Sequence, residues 1–154
     1  MGLGPVRRGI KRGVIYDQSL IIGRPASDLT AESLPLYKAV VVFNLGLTFH
    51  ISAANTPPLD KVSLLLAANL YTQAIRYLTQ GQRYCRNPAL LFAVLLNNLA
   101  EVYFQLGECE ACRFYLCKLR AAISPSLQME ECELDGLLYN LMNLPFPPLH
   151  ASAP

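Results

Sequence analysis

Cysteine carries the most reactive chemistry in this 154-residue chain, and four of its five cysteines, Cys109, Cys112, Cys117 and Cys132, stand close together in sequence. Cys109-Glu110-Ala111-Cys112 is a C-x-x-C. Four thiolates can hold a tetrahedral zinc ion, and a lone C-x-x-C can cycle between dithiol and disulfide. Spacing speaks against both. On an ideal helix Cys109 and Cys112 share a face, whereas Cys117 points about 140° away from Cys112. A redox motif of the thioredoxin kind needs a strand before it, and the residues preceding Cys109 read as helix and turn. The plain alternative is that the cysteines act as small buried hydrophobes. We therefore expect no metal and no cofactor.

The other catalytic constellations fare no better. There are two histidines, His50 and His150, far apart in sequence. No Ser/His/Asp or Cys/His set can be assembled around them. No H-E-x-x-H, phosphate-binding loop or G-x-G-x-x-G after a strand is present. Gly2 follows Met1, but Val6 stands where a myristoylation signal needs Ser or Thr. The chain is not expected to be an enzyme. The adjacent amides Asn97 and Asn98 are a candidate hydrogen-bonding pair, with Asn97 the better candidate for contact with a ligand.

Composition narrows the class. Hydrophobic residues make up 53% and charged residues 16%, which excludes disorder for most of the chain. The net charge of +2 is unevenly placed. Arg7, Arg8, Lys11 and Arg12 open the chain, and Glu130, Glu131, Glu133 and Asp135 lie near its other end. Each end favours a partner of opposite sign, a second copy included. The basic start also fits a nuclear address or an RNA contact, against the plain reading of a solvated basic end. Nucleic-acid binders carry a larger, clustered basic excess, so nucleic acid is an unfavoured partner. The basic start is not followed by an apolar signal-peptide core, and residues 39–59, though uncharged, hold Asn44, His50, Asn55 and two prolines. We expect no membrane span, reduced cysteines and an intracellular setting, the cytoplasm first and the nucleus second.

The prolines show where the elements lie. Residues 59–87 and 89–124 are free of proline, which helix interiors exclude. Apolar residues at steps of three and four predict five helices, over about 36–54, 60–80, 88–107, 108–124 and 127–143. Their stripes are Val42, Leu45, Gly46 and Phe49 in the first and Ala67, Leu70, Ala74 and Leu78 in the second. The third has Leu96, Leu99, Ala100 and Tyr103, the fourth Cys109, Cys112, Leu116, Leu119 and Ile123, and the fifth Leu134, Leu137, Leu138 and Leu141. Asn87 is a suitable cap and Pro88 suits the first helical position of the third helix. Gly107 ends that helix in a turn so tight that the third and fourth must be antiparallel neighbours. The β-branched run at 14–22, bounded by Gly13 and Gly23, reads as an extended arm. Residues 1–35 thus form a basic start and arm, 36–144 a helical domain, and 145–154 a disordered tail.

Two helical segments look like copies. Phe43-Asn44-Leu45-Gly46-Leu47-Thr48-Phe49 matches Asn97-Asn98-Leu99-Ala100-Glu101-Val102-Tyr103: Asn, Leu, a tiny residue, then an aromatic three positions on. The tiny residue lets a paired helix approach closely and the aromatic fills the space beside it. This resembles the tetratricopeptide repeat. That pattern falls on Leu96, Leu99, Ala100, Tyr103, Gly107, Cys112 and Leu116 in the second unit. In the first it falls on Val42, Leu45, Gly46 and Phe49, then on Ala74 and Leu78 after an insertion around 52–62. Gly46 and Ala100 are 54 positions apart in the sequence, where the family's period is 34. The resemblance covers about 36–124. It implies an all-α, right-handed superhelical array of antiparallel α-hairpins, with the fifth helix as a cap. Two units fall short of the three that such an array needs, so the arm or a second copy is expected to cover what remains.

By the same resemblance the first helix of each pair lines a concave groove. The groove positions are Val40, Phe43, Leu47, His50 and Ile51 in the first unit, and Val94, Asn97, Glu101, Phe104 and Gln105 in the second. The lysines with which well-known relatives grip a terminal carboxylate are missing. An apolar groove with a few amides suits a hydrophobic strand or amphipathic helix, or the chain's own arm. The expected function is a protein–protein adaptor that binds a protein or peptide there, or forms a homodimer. The alternative is an RNA-binding helical repeat, whose affinity would fall steeply with salt.

Overall fold

The structure is a computed structural model that describes residues 30–80, 88–123 and 139–142. All regular structure among these residues is helical. Four helices follow in order: α1, Leu34–Asn55; α2, Lys61–Gln80; α3, Pro88–Leu106; and α4, Cys109–Ala122. Residues 139–142 are also helical. The expected arm at 14–22, the cap at Asn87, most of the fifth helix and the tail lie outside the described residues.

Local chemistry sets the helix ends. α1 starts with a proline in its first turn, where a missing N–H costs nothing. α2 is capped by Asp60, whose Oδ1 accepts from the Val62 and Ser63 amides at 3.0 and 3.1 Å, while Ser63 Oγ donates to Oδ2 at 2.6 Å. These bonds hold the Asp60 carboxyl below its ordinary range, with the Ser63 hydroxyl the largest cause. At the end of α3, Gly107 has φ 79°. Its amide donates to Phe104 O at 3.0 Å and the Glu108 amide donates to Tyr103 O at 2.9 Å. This bond pair is the Schellman stop, and it turns the chain into α4 within two residues.

The helices pack in a row, α1 on α2, α2 on α3 and α3 on α4. The short 56–60 link and the two-residue 107–108 link make α1/α2 and α3/α4 antiparallel pairs. One cluster joins α1 and α2 to Leu91, Val94, Leu95, Leu99 and Val102 of α3. A second joins Ala93, Leu96 and Ala100 to Cys112, Leu116 and Leu119 of α4. α3, flanked on both sides, is therefore buried continuously from Ala93 to Val102. Its apolar residues serve two interfaces rather than one stripe.

Gly46 marks the closest approach of the first pair. A Cβ built there would stand 3.0 Å from Tyr71 Cε1, 3.1 Å from Tyr71 Cδ1 and 3.2 Å from Leu70 Cβ. Ala100 is fully buried in the second cluster, beside the small Cys112 and Leu116. Both tiny residues thus sit where paired helices meet.

Two expected stripes need correction. In α2 it is Tyr71, not Leu70, that points into the core with Ala67, Ala74 and Leu78. In α1 the buried face is Ala39, Val40, Phe43, Gly46, Leu47, His50 and Ala53. Val42 and Phe49 are half-buried and Leu45 is exposed. The expected stripe is rotated because α1 packs toward both α2 and the α3 side of the first cluster.

By length and composition α1 and α3 are also apolar enough to cross a membrane. For α3 the apolar window is 61% buried within the molecule, and for α1 33%. Core helices pass the same test, and α3 has the burial of one.

Candidate functional site

The positions expected to line a groove are mostly core. Val40, Phe43, Leu47, His50, Val94, Asn97 and Glu101 are buried, and Phe104 and Gln105 are half-buried. The apolar members belong to the cluster shared by α1, α2 and α3. The polar members are bonded inside the protein, as Gln105 Nε2 is to Glu101 Oε1 at 3.0 Å.

What links several of these positions is a chain of buried polar side chains. His50 Nδ1 lies 3.3 Å from the Tyr71 hydroxyl, to which Asn98 Nδ2 donates at 3.4 Å. Asn97 Nδ2 donates to Asn98 Oδ1 at 3.2 Å, and Asn140 Nδ2 donates to Asn97 Oδ1 at 2.7 Å. The chain crosses from α1 through α2 and α3 to the helical stretch 139–142, whose Leu141 also packs on the α3/α4 cluster. The Tyr71 oxygen accepts from Asn98, which leaves its proton for His50 Nδ1 and puts the ring proton on Nε2. That Nε2 is buried without a hydrogen-bond partner among the described residues. Burial lowers the imidazole from its ordinary 6.5 to about 4, so the ring is neutral at pH 7. Burial likewise raises the Tyr71 phenol, against a smaller opposite effect of Asn98. A buried, neutral network of this kind fixes register.

Tyr71 is the hub that sequence reasoning missed. Its signal was present: it continues Ala67 by four positions and precedes Ala74 by three. Tyr71→Phe keeps the ring against Phe43 (centroids 5.8 Å apart) but takes the only partner of His50 Nδ1 among the described residues. We expect a loss of about 1–3 kcal/mol in denaturant unfolding, the cost of stranding a buried polar group. Adding His50→Leu to Tyr71→Phe should recover part of it, since the stranded imidazole is then gone while Asn98 still lacks the hydroxyl.

The three described cysteines differ in burial. Cys112 is buried in the second cluster, while Cys109 and Cys117 are exposed. The Cys112 thiol is pushed up to about 11, by burial first and then by Glu101 and Cys109, so it is a protonated packing group. Among the described residues no three His, Cys, Asp or Glu side chains are placed to hold a metal ion. Cys132 lies outside the described residues. Lys118 and Arg120 are exposed, and Lys118 Nζ lies 4.6 Å from the centre of the Phe114 ring.

An open feature among the described residues is the outer face of α1. Leu34, Lys38, Val41, Leu45, Thr48 and Ser52 follow at steps of four and three, and all are exposed. Val41 is 63% exposed and Leu45 48%. At the start of this face is an apolar cleft of about 400 Å³ lined by Leu34, Tyr37, Lys38, Val41, Val42 and Tyr77. Lys38 Nζ lies 5.7 Å from the centre of the Tyr77 ring. Val62, Leu65 and Leu66 on α2 are exposed as well. Leu34 and Val41 adjoin at the cleft and Leu45 follows one turn on along the same face, an arrangement that monomeric proteins seldom leave in water.

The fold and this face define an all-helical protein of paired antiparallel helices. The chain matches no family model, no curated protein and no solved structure.

Proposed function

We propose that this is a protein-interaction module built of tetratricopeptide-like helix pairs, working inside the cell by holding a partner rather than by catalysis. Three features support the repeat assignment: the close approach at Gly46, the burial of Ala100 and Cys112 in one cluster, and the Schellman stop at Gly107. The observation that carries the function is the exposure of Val41 and Leu45 beside the α1 cleft. Large apolar groups left on the surface of a well-packed pair are what an interaction surface supplies. On this reading the buried positions among the expected groove residues hold the pairs in register, and the outer face of α1 supplies the binding surface.

The double substitution Val41→Glu, Leu45→Glu tests this. Both side chains are exposed, so the melting temperature should stay within about 2 °C of the parent. A protein that co-purifies with the parent in stoichiometric amount, and binds again when both are purified, should be lost from the variant. Retention of that protein by the variant would refute the assignment of the surface.

A further inference from the structure

We infer that Cys109 and Cys112 form a reversible thiol–disulfide site, oxidised by low-molecular-weight disulfides of the glutathione kind and reduced by the corresponding thiols.

The start of α4 places the pair. The helix begins at Cys109, directly after the Gly107 turn, so both cysteines fall in its opening residues. Residues three apart on a helix have Cα atoms about 5 Å apart, which follows from a radius of about 2.3 Å and a rise of about 1.5 Å per residue. A disulfide spans Cα separations of about 4.4–6.8 Å, so the backbone already stands within range. The Cβ atoms, about 5–6 Å apart on a regular helix, must close to about 4 Å. A helix end can yield that much. The Cys109 amide is bonded to Gly107 O rather than to a carbonyl four residues back, and Glu108 makes no side-chain cap bond. Cys109 Sγ is held only weakly, donating to Gly107 O at 3.7 Å. The Cys112 thiol, raised chiefly by burial, is raised further by Glu101 and by Cys109, as befits neighbouring sulfurs.

The two cysteines differ in access, and this orders the reaction. Cys109 is exposed, whereas Cys112 is buried in the α3/α4 cluster. An incoming disulfide therefore reaches Cys109 first. The Cys109 thiol gives its proton to solvent, and its sulfur attacks one sulfur of that disulfide. The old S–S bond breaks, and one thiolate leaves and takes up a proton. Cys112 then loses its proton and attacks Cys109 Sγ, which closes the protein disulfide and releases the second thiol. One external disulfide and two protein thiols thus become one protein disulfide and two external thiols. Excess thiol runs the same steps backward. A strand before the motif has no part in these steps, which need an accessible sulfur and a second one within a turn.

Cys117 supplies the contrast. It is exposed like Cys109, yet it lies five positions beyond Cys112. That is about 140° round the helix and about 7.5 Å further along it. Cys117 can take up an external thiol, but neither Cys109 nor Cys112 is placed to displace it.

The test equilibrates the full-length protein in graded mixtures of reduced and oxidised glutathione, blocks free thiols with N-ethylmaleimide and maps the peptides by mass spectrometry. The parent should yield a Cys109–Cys112 disulfide that disappears again as reduced glutathione rises, while Cys117 carries glutathione. Cys112→Ala keeps a small apolar group in the cluster. In that variant Cys109 should retain at least about tenfold more glutathione than in the parent, because the intramolecular attack that removes it is lost. In Cys109→Ser, Cys112 should stay a thiol. Absence of a Cys109–Cys112 disulfide at every ratio overturns the inference, and so does its formation in denaturant only. Equal glutathione on Cys109 in the parent and in Cys112→Ala overturns it as well, as does pairing of either cysteine with Cys85, Cys117 or Cys132 instead. Mapping of the parent alone decides the matter if Cys112→Ala does not fold.

Discussion

Gly46→Leu is expected to destabilise the protein by about 3 kcal/mol or more, the upper range for overpacking a close-packed site. In a thermal melt followed by circular dichroism this is a fall of roughly 10 °C for a chain of this size. A Cβ alone would already stand 3.0–3.2 Å from the Tyr71 ring and Leu70. The ring cannot swing aside without loss, because its hydroxyl is tied to His50 and Asn98. Gly46→Ala is a milder case. It gains about 1 kcal/mol of helix propensity, which offsets the shift of a few tenths of an ångström that the contact demands. The two substitutions should therefore differ far more than their volumes suggest. Leu45→Ala, one residue away on the exposed face, should move the melting temperature by no more than about 2 °C. Equal effects at 45 and 46 would mean that the pair does not cross at Gly46.

The second large effect is acid sensitivity centred on His50. Its folded pKa of about 4 lies below the unfolded value of 6.5, so the unfolded chain binds the extra proton as pH falls. Stability from this group is intact above pH 6.5, declines through the interval from 6.5 to 4, and changes no further below it. The whole interval corresponds to about 3 kcal/mol at the rate of 1.36 kcal/mol per pKa unit. Denaturant midpoints measured from pH 7 to pH 4 should fall steeply for the parent. The His50→Leu protein should lack this part of the slope. The same dependence in both would place the proton uptake elsewhere. Asp60, whose carboxyl is held low by Ser63, contributes in the same sense, its stabilisation being lost as pH falls near and below its ordinary 3.8.

Much of the fold was legible in the sequence. Proline-free windows and steps of three and four located α1 to α4 to within two residues at either end. Gly107 declared its stop, because a left-handed turn residue followed by a new apolar stripe has few other uses. Gly46 and Ala100 showed themselves as contact points through the segments they share. The candidate surface was not legible in the same way. Periodicity tells which residues share a helix face, but not which of two apolar faces a neighbour covers. α1 is apolar nearly all round, so Val42, Leu45 and Phe49 looked as inward as Phe43 and Leu47. The structure decides it: Phe43 and Leu47 are buried, and Leu45 faces out because α1 stands at the end of the row. The groove positions came from the resemblance alone, and periodicity gave no sign that Val40, Phe43, Leu47, His50, Val94, Asn97 and Glu101 would be buried. The polar chain through Tyr71 was hidden since its members come from four separated stretches of sequence, and only packing joins them.

Amide chemical-shift mapping of the co-purifying partner on the full-length protein tests the central claim most directly. The account predicts shifts concentrated at Lys38, Val41, Leu45 and Thr48 and around Tyr77, with Val94, Asn97 and Glu101 unmoved. Shifts centred on Val94, Asn97 and Glu101 with a silent outer face of α1 would contradict it.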